Sequence, residues 1–337
     1  MADTSELSSS EPRGGYRPER AIQFAPLFQW PPQPLALFKW FFGFPGYLWP
    51  WTIFFIGVAL GEWLYWTPDL DKMKNFSADW IAPLFIQNLA LLVVFNSLWH
   101  VRLYVQKAQG TDYKYNSRWL SVDNPTFLFR HQLWDNVFWS CCSAVPIWTA
   151  YQAVTFWLQA NGFAPTVDWQ AHPIYCVLLI LLTPLWLEVH FYFTHRMIHW
   201  PLLYRYVHSL HHKNINVGPW SGLAMHPIEH LIYFSAVMLY WIIPSHPFHS
   251  LFLLIQLGFG PALQHHGFDR LVLGRKTTFN TDNYMHYLHH KYVTVNFGVE
   301  MVPLDKWLGT FHDGSDEAME AFKKRVREHR LRSRKGQ

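Results

Sequence analysis

The chain has 337 residues, of which half are apolar, 18% aromatic and 15% charged, with a formal net charge of +4. The charged share lies well below the roughly 25% of an ordinary soluble domain, which argues against a freely soluble globule. So small a net charge, without a phosphate-binding loop or nucleic-acid motif, gives no case for nucleic acid as a partner.

Residues 1–34 read as a flexible tail, and the first 20 are polar with no cleavable signal. Residues 35–185 read as a transmembrane region. Apolar runs at about 47–66, 80–99 and 137–158, and from Ile174 into the first histidine cluster, are each long enough to span a bilayer. Pro146 and Pro184 interrupt the last two, which membrane helices tolerate. The three cysteines, Cys141, Cys142 and Cys176, have no paired spacing and read as buried small hydrophobes. A later stretch at about 231–263, broken by Pro244, Pro247 and Pro261, predicts a hairpin of two short pieces that enters the membrane or packs beneath it.

The loop after the second run carries Arg102, Lys107, Lys114, Arg118 and Arg130, whereas residues 159–173 carry no Lys or Arg. The excess of positive charge puts the N-terminus, that loop and everything after the fourth run in the cytoplasm. Residues 313–337 read as a basic helix, started by Ser315 and acids and carrying Lys323, Lys324, Arg325, Arg327 and Arg330. Such a helix suits solvent, anionic headgroups or an acidic electron-donor protein.

Fifteen of the 20 histidines fall between His190 and His290. Three clusters dominate: His195 and His199; His208, His211 and His212; and His286, His289 and His290. Residues three and four apart share a helix face, so each cluster aims two or three imidazoles at a common point. Eight imidazoles exceed the needs of one zinc and suffice for two metal ions. The HExxH pattern of zinc hydrolases is absent, since Arg196 stands where its Glu would be. A b-type haem needs two axial histidines and leaves the repeated HxxHH unexplained. A metal transporter would spread its histidines along the spans. The pattern therefore points to a non-haem dimetal centre that activates oxygen, with iron as the redox-active metal. Electrons must arrive from another protein, because no flavin or nicotinamide fingerprint is present.

The run HRMIHWPLLYRYVHSLHH, followed by AMHPIEH, HHG at 265–267, HYLHH and DKWLGT at 305–310, resembles the fatty acid hydroxylase superfamily. That group includes sterol desaturases, sterol-methyl oxidases, sphingolipid and fatty-acyl hydroxylases, alkylglycerol monooxygenases and ornithine-lipid hydroxylases. The resemblance implies an integral membrane di-iron enzyme that uses O2. Its ligands would be His195, His199, His208, His211, His212, His286, His289 and His290, with a further one before a glycine. His266, next to Gly267, matches that position best, and His265 is its neighbour. Two departures touch the substrate: Ala262 stands where fatty-acyl 2-hydroxylases have a histidine, and NVGPWSG at 216–222 replaces the PTPF of sterol-type members. His226, His230 and His190 are possible ligands or orienting groups, with Glu229 orienting a ligand imidazole and Glu188 a possible partner of His190.

The fold expected is an all-α, multi-pass bundle of about four spans, with a cytoplasmic helical cap over 186–312 that carries the dimetal site. The expected reaction is hydroxylation of a fatty-acyl, sterol, sphingoid or ornithine lipid, with no catalytic residue beyond the metal ligands. Desaturation at the same site is the alternative. A metal transporter or b-type cytochrome is the alternative from another class. The expected partners are a membrane lipid and an external electron donor such as cytochrome b5, a ferredoxin or a reductase. The expected membrane is the bacterial inner membrane or the endoplasmic reticulum.

Overall fold

A computed structural model describes residues 15–274 and 277–335. The first four main helices are α1 (Pro34–Phe42), α2 (Ile53–Tyr65), α3 (Ala78–His100) and α4 (Gln132–Trp139). A helical turn at Ser140–Ala144 joins α4 to α5 (Val145–Ala160), and α6 (Pro173–Ile198) follows. The region that carries the histidines continues with α7 (Pro201–Leu203), a wide turn Tyr204–His208, α8 (Ser209–His212), α9 (Pro227–Phe234) and α10 (Pro247–His265). Strands β1 (Arg270–Leu273) and β2 (Thr277–Asn280), then α11 (Tyr284–Tyr292), α12 (Leu304–Trp307) and α13 (Asp316–Lys335) complete the order.

Helices occupy all four apolar runs. Among the described residues two segments, Ala78–Val105 and Pro173–Ile198, are long and apolar enough to cross a membrane. At about 1.5 Å per residue each exceeds the roughly 30 Å of a hydrocarbon core. Both expose large apolar side chains: Ile86, Val94 and Leu98 on α3, and Ile174, Leu178 and Leu182 on α6. The first run is shorter as a helix than its sequence suggests. Trp49 leaves helical geometry, and α2 proper has 13 residues. The third run is helical but buries Ser140, Ser143, Thr149, Gln152 and Thr155. Some of these cross-link the bundle. Gln152 Nε2 donates to Glu62 Oε1 at 2.8 Å, and Asn88 Nδ2 donates to Gln152 Oε1 at 2.8 Å. Such bonds between apolar helices fix their register.

The stretch at 231–263 falls into two pieces as expected, α9 with the helical turn Ser235–Trp241 and then α10, but the second piece is not short. Pro247 does not break a helix there but starts one. Its ring suits the first helical position, and His246 Nδ1 accepts from Phe248 N at 3.2 Å as the cap. The result is one helix of 19 residues, α10, of which nearly all are buried. It runs through the main core among Phe55, Phe95, Trp148 and Phe234. Pro261 removes one donor from its interior, so the carbonyl of Leu257 lacks its usual partner. Tyr233 Oη donates to that carbonyl at 3.2 Å. Gly222 makes the close approach possible, because a Cβ there would stand 2.5 Å from Pro261 O.

Three further features depart from the sequence reading. Strands β1 and β2 pair antiparallel, so the fold is mostly helical rather than all-α. Lys114, counted among the loop charges, is 1% exposed and donates to Asn116 O, Arg118 O and Asn216 Oδ1. Of the expected tail, residues 1–14 lie outside the described residues, while 15–33 are laid across the protein. Tyr16 N donates to Lys114 O, Arg20 pairs with Asp282 at 2.5 Å, and Ala25 N donates to Met301 O.

Candidate metal centre

The histidine clusters come together from five elements. The end of α6 carries His195, with His199 just beyond it. The wide turn before α8 ends at His208, and α8 adds His211 and His212. The end of α10 supplies His265, and α11 supplies His286, His289 and His290. Their ring nitrogens fall into two groups that could each hold a metal ion. One joins His195, His199, His208, His212 and His289; the other joins His211, His265, His286 and His290. Within each group the nitrogens lie within 4.8 Å of one another.

The paired HH at the end of each HxxHH has a simple cause. Adjacent helical residues point about 100° apart, so the two rings cannot serve one centre. His212 faces the first group and His211 the second, while His289 faces the first and His290 the second.

The tautomers suit metal binding. His195 Nδ1 lies 2.7 Å from Phe297 O, His289 Nδ1 2.6 Å from Val295 O, and His265 Nδ1 2.8 Å from Pro261 O. An Nδ1–H that donates outward leaves Nε2 unprotonated in a neutral ring. These Nε2 atoms then face each other: His195 to His208 and His199 to His289 at 3.2 Å, His265 to His290 at 3.0 Å and to His286 at 3.1 Å. Unprotonated nitrogens at this spacing repel unless a cation lies between them. Two ligands about 2.1 Å from one ion and at right angles are about 3 Å apart, which matches. Burial pushes His208, His212, His289 and His290 well below the usual histidine range, and neighbouring imidazoles add to it. His211 is lowered to about 4, again by burial. The rings are therefore neutral, as ligands must be.

The structure divides the remaining candidates. His266, expected next to Gly267, stands outside both groups. It follows the last residue of α10, its Nδ1 accepts from Phe268 N, and its Nε2 is 3.2 Å from Asn283 Nδ2. His265 takes the inward position because it ends α10 one turn after Pro261. His226 caps α9, accepting from Ile228 N. His230 uses Nδ1 on Ser143 Oγ at 2.9 Å and Nε2 on Leu223 O at 3.2 Å. His190 Nε2 meets Ser235 Oγ at 3.0 Å, and Glu188 accepts from Val302 N rather than from His190. Glu229 Oε1 lies 2.7 Å from His208 Nδ1. The carbonyls of Val295 and Phe297 were not foreseen. They reach the rings through a turn in which Val293 and Asn296 have positive φ, at 65° and 54°. A β-branched residue rarely adopts that conformation without a compensating gain.

Both groups border one cavity of about 1230 Å³, touched by His195 and His208 from one and by His211, His265 and His286 from the other. Its walls include Phe55, Leu187, Phe191, Ile232, Tyr233 and Leu257, with Glu188, Glu229 and Glu300 as buried or half-buried acids.

Residues 180–310 match the family model for fatty acid hydroxylase. That stretch contains all three histidine clusters and is similar to the fatty acid hydroxylase family. Among curated relatives, a Delta(7)-sterol 5(6)-desaturase of Candida glabrata is 26% identical over 52% of this chain and 48% of its own length. A Gibberella zeae protein of the same description is 30% identical over 35% of this chain and 37% of its own. A Delta(7)-sterol-C5(6)-desaturase of Nicotiana tabacum is 26% identical over 53% and 64%. The chain spans about half the length of the first curated relatives it matches. No solved structure matches.

Proposed function

We propose that the chain is an oxygen-dependent oxidoreductase with two iron ions, acting on a membrane lipid. The observation that carries this reading is the sorting of nine neutral imidazoles into two adjoining groups beside a single large cavity. His195, His199, His208, His212 and His289 would hold one ion, and His211, His265, His286 and His290 the other. The ions would supply O2 reduction and the oxidising power to attack an unactivated carbon. The chain itself does the rest. The carbonyls of Phe297, Val295 and Pro261 fix ring orientation, and Glu229 does the same for His208. Aliphatic and aromatic walls exclude water and hold an apolar substrate against the histidines.

Two outcomes are open to one site. Hydroxylation is the broader expectation for the superfamily. Desaturation is favoured by the relatives, which are described as sterol 5(6)-desaturases. The paired groups speak against a b-type cytochrome, because a haem takes two axial imidazoles from opposite faces of its ring, whereas four or five nitrogens converge in each group here. A metal transporter has no need of a large apolar-walled cavity.

The chain would be an integral membrane protein, crossing more than once, with the histidines on the cytoplasmic side. It would draw electrons from an external donor protein. The deciding experiment compares the lipids of cells that carry the intact protein with those carrying His208→Ala, by mass spectrometry. A lipid class heavier by one oxygen atom means hydroxylation, and one lighter by two hydrogens means desaturation. Identical lipid profiles at equal expression would overturn the oxidoreductase reading.

A further inference from the structure

Helix α1 has two apolar faces with different neighbours. Its inner face, Ala36 and Trp40, lines the cavity. Its outer face, Leu35, Phe38 and Phe42, covers nothing and is 65%, 61% and 53% exposed. These three recur at helical spacing, so they form one stripe. Trp30 before the helix and Phe44 and Trp49 after it are exposed as well. Six large apolar side chains within 20 residues exceed the scattered exposure of an ordinary surface.

The surroundings say what covers this face. Directly after α1, Tyr47 Oη donates to Leu181 O on α6. Leu181 is flanked by Leu178 and Leu182, which are exposed on a helix long and apolar enough to cross a membrane. The outer face of α1 thus continues the outward apolar surface of α6. On the other side, the preceding strap is tied down, through the ion pair of Arg20 with Asp282 and through Ala25 N to Met301 O. Between that charged anchor and a helix with an outward apolar surface, α1 lies where water gives way to acyl chains. A nine-residue helix is about 14 Å long, too short to cross a bilayer and suited to lying in its surface.

We propose that the outer face of α1 is a bilayer-contact surface, immersed among the acyl chains of the leaflet, and that lipid passes from that leaflet into the cavity beneath α1. This rests on the reading of the cavity as a lipid site. The contact places the wall formed by Trp40, Tyr47 and Trp49 between the hydrocarbon phase and the histidines. An apolar substrate can then move from leaflet to cavity without crossing water.

The test uses the full chain in phosphatidylcholine vesicles. Cys141 and Cys142 are replaced by serine, and an environment-sensitive fluorophore is attached at Phe38→Cys or, for reference, at exposed Glu317→Cys. The Phe38 label is expected to be quenched by lipid-borne nitroxide several-fold more than the reference, and to be shielded from aqueous iodide. Quenching of the Phe38 label by iodide would overturn the proposal. Shielding from both quenchers, with cross-linking between chains, would overturn it in favour of a second copy as occupant. In a second arm, Phe38→Asp with Phe42→Asp should raise the bilayer lipid fraction needed for half-maximal turnover about tenfold, more than it lowers the maximal rate. A fall in maximal rate with the half-maximal lipid fraction unchanged would refute lipid entry beneath α1. Should the intact protein oxidise no lipid, the functional reading falls, while the quenching arm still decides the surface contact.

Discussion

His208 Nδ1 and Glu229 Oε1 lie 2.7 Å apart, and both side chains are almost wholly buried. Burial pushes the Glu229 carboxyl well above its usual range and His208 well below its own. Both are driven toward neutrality, and the bond fixes the ring with Nε2 toward His195. Glu229→Gln keeps the shape and can still accept from Nδ1–H, whereas Glu229→Ala removes the partner. Metal affinity, measured by competition with a chelator, should fall about 10- to 100-fold in Glu229→Ala and much less in Glu229→Gln.

His265 and His266 offer a sharp comparison. His265→Ala removes a nitrogen that faces both His286 and His290, and should lower bound metal by roughly half when one of two sites is lost. His266→Ala removes only contacts to Phe268 N and Asn283, and should leave the metal content of the purified protein intact. Elemental analysis of the two variants reads this directly. Full metal in His265→Ala would invalidate the second group.

The pH dependence of the metal-free protein follows from its buried imidazoles. His211 titrates near 4 and His230 near 3 in the folded chain, both lowered by burial. The unfolded chain titrates near 6.5. Between these values the unfolded state binds more protons, so stability falls with acidification. The melting temperature without metal should be level above about pH 7 and should decline as pH drops from 6.5 toward 4. A metal-loaded sample should decline as well in that window, because protonation competes with the ligand bond. A flat profile would refute the burial argument.

Gly222 sits against Pro261, with room for no side chain. Gly222→Ala must push α10 away, and α10 carries His265. Overpacking at such a contact costs typically 1–3 kcal/mol. Thermal denaturation should show the loss, and metal content should fall with it. Gly57→Ala on α2, where a Cβ meets nothing within 4 Å, serves as the control and should leave both readouts unchanged.

Much of the site was legible because imidazoles at helical spacing in apolar surroundings have few structural explanations. The choice between His265 and His266 was not legible. It depends on where α10 ends and on Pro261 O taking the His265 Nδ1–H, which a neighbouring glycine does not reveal. His226 and His246 illustrate the converse. Each precedes a proline and caps a helix, a local role that the His-Pro pairing could have signalled. The four apolar runs marked four helices, but hydropathy cannot report polar cross-links such as Glu62 to Gln152. Nor can it show that the 231–263 stretch packs inside the bundle, where neighbours rather than lipid cover its apolar sides. Residues 15–33 looked unstructured because their partners, Asp282 and Met301, lie hundreds of positions away.

His211 and His212 are bonded neighbours on the backbone, yet they answer to different centres, and His289 and His290 do the same. Two peptide links would therefore set the spacing between ions held by these groups. Movement of either set of rings would then pass along the backbone to the other, so loss of one ion should loosen the grip on the second without abolishing it.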